Sequence, residues 1–225
     1  MPNWRVTYDG LSKLAFINRL FKKFTVTHSY KSTLNYGSFT SNLLYDVDPE
    51  NGDAFARDIN NDFIPDLQIA TVSISEQFAP LMGFDMTLNN NMLLKVQYKK
   101  DRNASLSMAN SQITEVKGTE LSVGTGYKFR NVRLPLFKKA ANLDTRIDVG
   151  IRSNTTIIRR IIENVNQLTA GQRVLSVKLT GDYRVSAKLN IRAFYDYVSN
   201  QPFISTTFPT SNTNAGISLR FTLSQ

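Results

Sequence analysis

Side chains able to carry acid–base or nucleophilic chemistry are few in this sequence, which contains one histidine and no cysteine. The missing cysteines exclude disulfides, thiolate metal sites and cysteine nucleophiles. His28 lies in the segment Phe24–Tyr30, on the same parity as the apolar Val26. A histidine at an apolar position of a strand is typical of a structural or aromatic-belt residue rather than a general base. We therefore predict that the protein is not an enzyme.

Carboxylates occur in patterns that could hold a proton or a cation. Asp144 and Asp148 flank Arg146 at alternate positions, which favours a solvated ion-pair network over a catalytic dyad. Asp58, Asn60 and Asp62 have the spacing of the first ligands of a calcium loop, and form a weak cation candidate. The turn glycine and the bidentate glutamate of such a loop are absent, so we predict a polar loop without a metal.

Phosphate and nucleic-acid chemistry are poorly supported. No glycine-rich phosphate cradle follows a strand, so we expect no cofactor. The formal charge of +9 could suggest nucleic acid. However, the lysines and arginines are scattered singly between apolar neighbours instead of clustering on one face, which argues against nucleic acid as a partner.

The elements that position these side chains are strands, because apolar residues recur with a period of two. No apolar run approaches the roughly 18 residues needed for a spanning helix. The alternation is clear in segments that include 121–129, 143–152, 189–197 and 215–224, with Phe194 as an apolar exception on a polar parity. The segments from 70 to 88 and from 92 to 108 keep one parity over unusual lengths, and Pro80 predicts an irregularity in the ladder.

The predicted connections are of two kinds. Asn89–Asn91 and Ser186–Lys188 are expected to be tight turns, whereas 37–65, 163–171 and 201–213 are expected to be long, polar loops. Alternating short and long connections are typical of outer-membrane barrels, which makes 37–65 a long extracellular loop. Residues 11–23 have a helical apolar spacing and predict a short amphipathic periplasmic helix.

The alternating segments number about nine, and they predict an all-β fold over residues 1–225. Nine strands do not close a bacterial barrel, which takes an even number. The sequence also opens without an export signal. We therefore expect a carboxy-terminal arc of about nine antiparallel strands belonging to a very large transmembrane β-barrel in a longer protein.

The two sets of alternate positions along each strand are predicted to face two different solvents. Charged residues on one parity are candidates to face a water-filled lumen: Lys128, Arg146, Lys178, Arg192 and Arg220. Apolar residues on the other parity are candidates to face outer-membrane lipid: Leu121, Ile147, Leu179, Ile191, Ile217, Leu219 and Phe221.

Four strings carry a family resemblance: PNWRVTYDGLSKL, SEQFAPLMGFDMTL, VNQLTAGQRVLSVKL and FPTSNTNAGISLRFTLSQ. They resemble the end of the SprA/Sov family of cell-surface proteins, the giant outer-membrane translocon subunits of the Bacteroidetes type IX secretion system. The resemblance runs along essentially the whole chain. It implies a bacterial outer-membrane location and a wide channel that exports proteins from the periplasm to the cell surface, with a role in gliding motility.

The resemblance also implies partners: the remainder of the same barrel, a PorV-type barrel, a plug protein, secreted protein cargo and outer-membrane lipid. It supplies no catalytic motif. Two other readings stay open from the residues alone. One is a smaller porin or uptake barrel, and the other is a soluble β-sandwich or adhesin module.

Overall fold

The computed structural model describes residues 1–133, 135, 140–186, 188–204 and 207–222. It confirms the all-β prediction, with nine antiparallel strands in one sheet. The strands are β1 (Trp4–Tyr8), β2 (Phe21–Ser41), β3 (Leu67–Leu88), β4 (Leu93–Ser107), β5 (Gln112–Val132), β6 (Ala141–Arg160), β7 (Val165–Arg184), β8 (Leu189–Pro202) and β9 (Thr210–Phe221). Leu223 and Ser224, which the alternation assigned to the last strand, lie outside the described residues.

Each strand pairs with the next one along the chain, in the order β1 to β9. Such a meander arises when successive antiparallel strands are joined by direct returns. No ladder joins β1 to β9 within the described ranges, so the sheet is open at both edges. A barrel arc is compatible with this geometry.

The segment before β2 differs from the prediction. A helix over 11–23 is wrong: Gly10–Lys13 forms one 3-10 turn, Ala15–Asn18 forms a single α-turn (α1), and Phe21 already belongs to β2. The apolar spacing continues through Phe21 and Phe24 because these residues pair with β3, not because a helix continues. The carbonyl of Leu20 accepts the backbone N–H of Asn89, which ties the segment to the β3–β4 turn.

The connection lengths also differ from the prediction. The β3–β4 turn at Asn89–Asn91 is confirmed, and Asn91 has a φ of 65°. The long loop is 42–66 rather than 37–65 because β2 continues to Ser41. The loop predicted at 163–171 is wrong, since β7 begins at Val165 after a turn at 161–164.

The remaining long connection is also shorter than predicted, because β8 continues to Pro202 and β9 begins at Thr210. Residues 205–206 of that connection lie outside the described part of the chain, as does Ala187 in the predicted Ser186–Lys188 turn. A strict alternation of short and long connections is therefore wrong. Threonine, glutamine and glycine residues are part of the strands in segments whose polarity predicts loops.

Pro80 lies where the sequence predicts an irregularity. The β3–β4 register shifts between Phe78 and Met82, and the β2–β3 register shifts between Thr27 and Tyr30. Proline has no backbone N–H to donate, so the ladder must be interrupted there. The freed carbonyls find side-chain donors, because His28 Nδ1 lies 2.6 Å from the oxygen of Leu81 and Ser29 Oγ lies 2.5 Å from that of Ala79.

The sheet has no interior of its own. Among the described residues, the buried apolar side chains are Ile17, Ala141 and Tyr183, together with Pro80 at the register shift. A sandwich buries one face of its sheet against a second sheet. Here the described strands form a single layer, so both faces are available to whatever surrounds the sheet. No helix in the described ranges is long and apolar enough to cross a membrane.

Candidate functional site

The candidate site is the sheet itself, whose two faces differ in chemistry. Residues paired across an antiparallel ladder share a face. The register places Lys128, Arg146, Lys178, Arg192 and Arg220 on one face, the polar face. It places the predicted lipid-facing set on the opposite face, the apolar face: Leu121, Ile147, Leu179, Ile191, Ile217, Leu219 and Phe221.

Charges on the polar face are mostly paired across neighbouring strands. Of the twelve ion pairs found among the described residues, eight lie on this face. Arg192 Nε lies 2.7 Å from a carboxylate oxygen of Asp182 on the neighbouring strand, whereas Arg146 Nε lies 2.6 Å from one of Asp148 in its own strand. Both arginine side chains are more than half exposed, so the pairs contribute little stability. Their consequence is a hydrated surface of mixed charge.

Asp144 and Asp148 belong to this network, as the sequence suggested. Asp144 pairs with Lys128 at 3.7 Å and with Arg184 at 3.0 Å. Asp148 accepts two hydrogen bonds from Arg146. Each carboxylate is therefore held by cations, which is the arrangement of an ion-pair lattice rather than of an acid–base dyad.

Phe194 is the apolar exception on the polar face, and its neighbour explains it. Phe194 pairs with Gly216 in β9, and a Cβ at Gly216 would lie 2.9 Å from Phe194 Cζ. The Phe194 ring therefore covers the backbone of Gly216 and leaves no space for a side chain at that position. Glycine in a strand often marks such a close approach.

The apolar face of β5, β6 and β7 carries a continuous band. Each strand contributes five alternate positions, in the ranges 121–129, 143–151 and 175–183. Most of these side chains are partly exposed: Leu121 is 45% exposed and Ile147 43%. Tyr183, at one end of the band, is buried and donates its hydroxyl to the Val132 carbonyl. On β9 the exposure rises to 74% at Ile217 and 68% at Leu219. Contiguous apolar patches of this kind mark surfaces that meet lipid or protein.

Aromatic side chains concentrate at both ends of this band. On the side of loop 42–66, near the middle of β2 and β3, the tilted rings of Trp4, Tyr30 and Phe78 lie in a row, with centroids 4.7 Å apart at each step. At the opposite end, Tyr127 and Phe129 are in edge contact at 4.6 Å. His28 lies within the first group, 5.9 Å from Phe78 and 6.3 Å from Trp4.

Beyond the first aromatic row, the apolar face bears four ion pairs that join four strands. We call these residues the Glu115 cluster: Glu76, Arg102, Glu115, Lys117 and Arg159. Glu115 is 2% exposed and accepts Arg102 Nε at 2.6 Å and Arg159 Nη2 at 2.7 Å. Lys117 Nζ lies 3.2 Å from the same carboxylate.

The Glu115 cluster extends to the aromatic row through Glu76. Arg102 Nη1 donates to Glu76 at 3.0 Å, and the Tyr30 hydroxyl donates to the other Glu76 oxygen at 3.0 Å. The sequence alone does not predict this cluster, although Glu76 interrupts a row of apolar residues at alternate positions of β3. Charges at apolar positions of three further strands supply the same signal, but only the register brings them together.

The weak cation candidate lies in loop 42–66. Asp58 Oδ1 accepts the backbone N–H groups of Asn60 at 2.8 Å and of Asp62 at 2.9 Å. The carboxylate therefore closes its own turn, which is the usual role of an aspartate in this position. Within the described ranges, no group of three histidine, aspartate or glutamate side chains is placed to hold a metal.

No protein-family model matches this chain, and no curated protein matches it. The resemblance to the SprA/Sov family therefore remains a prediction that depends on the four strings quoted above.

Proposed function

We propose that this sheet is part of the wall of an outer-membrane β-barrel, with the apolar face toward lipid and the polar face toward a water-filled lumen. The observation that carries the proposal is the exposed apolar band opposite a face of paired charges. A transmembrane barrel needs this arrangement, because alternate side chains along each strand meet hydrocarbon and water.

The length of the band fits a bilayer. From Leu121 to Phe129 the strand advances eight residues, or about 27 Å at roughly 3.4 Å per residue. A strand tilted by about 40° spans about 21 Å of membrane over that length, close to the ~25 Å apolar band of outer-membrane barrels. The aromatic groups at both ends of the band correspond to the interfacial girdles of such barrels.

The strands are longer than the band. β3 has 22 residues and β5 has 21, whereas about 9–11 are enough to cross a bilayer. The excess lies on the side of loop 42–66, where the Glu115 cluster replaces the apolar band. A wall of this height therefore projects beyond the membrane on one side.

The cargo assigned to this barrel is protein, exported from the periplasm to the cell surface by type IX secretion. Two points support this assignment: the resemblance to the SprA/Sov family and the paired charges on the polar face. A hydrated surface of mixed charge offers a passing polypeptide no large apolar patch to bind. The partners of such a channel are the rest of its barrel, a PorV-type barrel, a plug protein and the secreted cargo, with gliding motility as one use.

Site-specific crosslinking in cells tests the proposal. A photoreactive side chain at Lys178, on the polar face, should form adducts with secreted proteins during export. The same group at Leu179, the next residue on the apolar face, should form adducts with lipid and none with cargo. Cargo adducts at both positions, or at neither while export continues, would contradict the proposal.

A smaller porin or uptake barrel is the second candidate, because it needs the same two faces. Pore width separates the two. A wide protein channel, freed of any plug, should pass polymers and give conductance steps far larger than those of a general porin. Exclusion of all but small solutes would favour the porin.

A further inference from the structure

The feature that the proposed wall leaves unexplained is the position of the Glu115 cluster, on the lipid-side face. In β4, Tyr98 pairs with Leu121 at the edge of the apolar band, and the next two positions on that face are Lys100 and Arg102. Alternate residues on one face are about 7 Å apart along a strand. These cations therefore begin within one step of the hydrocarbon boundary that the band defines.

The group carries an excess of positive charge. Lys100, Arg102, Lys117 and Arg159 face two carboxylates, Glu76 and Glu115, so its formal charge is 4 − 2 = +2. The side chains of Arg102, Lys117 and Arg159 remain 47%, 43% and 42% exposed despite their ion pairs. A guanidinium has five N–H donors. Arg102 uses two of them on carboxylates and Arg159 uses one, which leaves donors for a further anion.

The buried carboxylate explains how these cations are held in place. Glu115 fixes Arg102 and Arg159 from two different neighbouring strands, and Lys117 from its own strand. Ordering long side chains in advance lowers the entropic cost of binding. A purely structural role, in which the cluster stabilises the β3–β6 ladders, would require Glu115 and its ion-pair partners. It would not require Lys100, which is exposed on the same face.

Resting on the proposed membrane orientation, we infer that Lys100 and the Glu115 cluster form a binding site for the phosphorylated headgroup of an outer-leaflet glycolipid. Arginine donates paired hydrogen bonds to phosphate, and lysine adds a point charge. The aromatic row of Trp4, Tyr30 and Phe78 borders the site at the interfacial level, where amphipathic rings reside. The acyl chains of such a lipid would lie along the apolar band.

The test uses the whole protein purified from outer membranes and reconstituted in phosphatidylcholine vesicles. The vesicles contain a photoactivatable bisphosphorylated glycolipid or its dephosphorylated counterpart, and adducts are quantified on peptides spanning β3–β6. The variant K100Q/K117Q removes two charges while Arg102 and Arg159 continue to hold Glu115. The matched control K95Q/K178Q removes two lysines from the polar face.

We expect the phosphorylated lipid to label this region in preference to the dephosphorylated lipid. Half-maximal labelling of K100Q/K117Q should need more lipid, by about fivefold for each lost charge and about 25-fold together. The control should stay within twofold of the unmodified protein. Equal labelling by the two lipids, an equal loss in the control, or full competition by inorganic phosphate at the same concentration would overturn the inference.

Failure of the membrane orientation would look different. Should alkaline carbonate extract the protein from the vesicles, the proposed function itself would be wrong. Stable integration with no preference for the phosphorylated lipid would overturn the headgroup site alone.

Discussion

A charge placed at the centre of the apolar band should strongly oppose assembly. Leu179 is the third of five apolar-face positions in β7, about 14 Å along the strand from either end of the band. An arginine at the midplane of a transmembrane barrel costs about 2–4 kcal/mol. That cost corresponds to about a 30- to 800-fold change in the folding equilibrium, since 1.4 kcal/mol is a factor of ten. We expect L179R to lower the guanidinium midpoint of the protein in lipid vesicles and its assembled fraction in outer membranes.

The matched control is Ser176→Arg in the same strand. Ser176 pairs with Gly150 on the polar face, where water can hydrate a new charge. Its effect should stay within about 0.5 kcal/mol, as is usual for surface substitutions. Equal losses for S176R and L179R, or equal tolerance of both, would refute the assignment of the two faces to two solvents.

Three further predictions test individual contacts. Glu115→Gln should reduce the free energy of unfolding by about 1–3 kcal/mol, because it leaves three cations without their shared buried anion. Glu120→Gln is the control, because the ion pairs that it removes are more exposed to solvent, and it should cost less than about 1 kcal/mol. Equal guanidinium midpoints for the two variants would contradict the role of burial. Gly216→Val should reduce the free energy of unfolding by about 1–3 kcal/mol, because the new side chain displaces Phe194. In a double-mutant cycle, Phe194→Ala should cancel most of that loss, and additive losses would refute the contact. His28→Ala should lower stability by about 1 kcal/mol through loss of its hydrogen bond to the Leu81 carbonyl, and an unchanged midpoint would count against it.

The sequence predicts the number of strands and the composition of the faces well. A period of two depends only on the pleat of the strand, so Leu121 and Ile147 could be assigned to one face without knowing their partners. Antiparallel pairing then preserves parity from strand to strand, and it does so even across the irregularity at Pro80, where Phe78 and Met82 stay on one face. The proline itself carries the signal for that irregularity.

Strand ends and long-range clusters could not be predicted in the same way. Residues 163–171 are polar enough to suggest a loop, yet most of them are in β7 because Arg160 and Val165 begin a new ladder. The Glu115 cluster depends on register, since Glu76 and Arg159 are far apart in sequence. Local composition does not specify which rows of neighbouring strands coincide.

Labelling β7 residue by residue tests most directly which of its side chains meet water in the membrane. The chain has no cysteine, so single cysteines can be placed in turn at residues 174–183 without background in this segment. With the protein in intact vesicles, a water-soluble maleimide should label even-numbered positions and spare odd-numbered ones, and both sets should react after unfolding. Labelling that ignores parity, with Leu179 as reactive as Lys178, would contradict the two-solvent account.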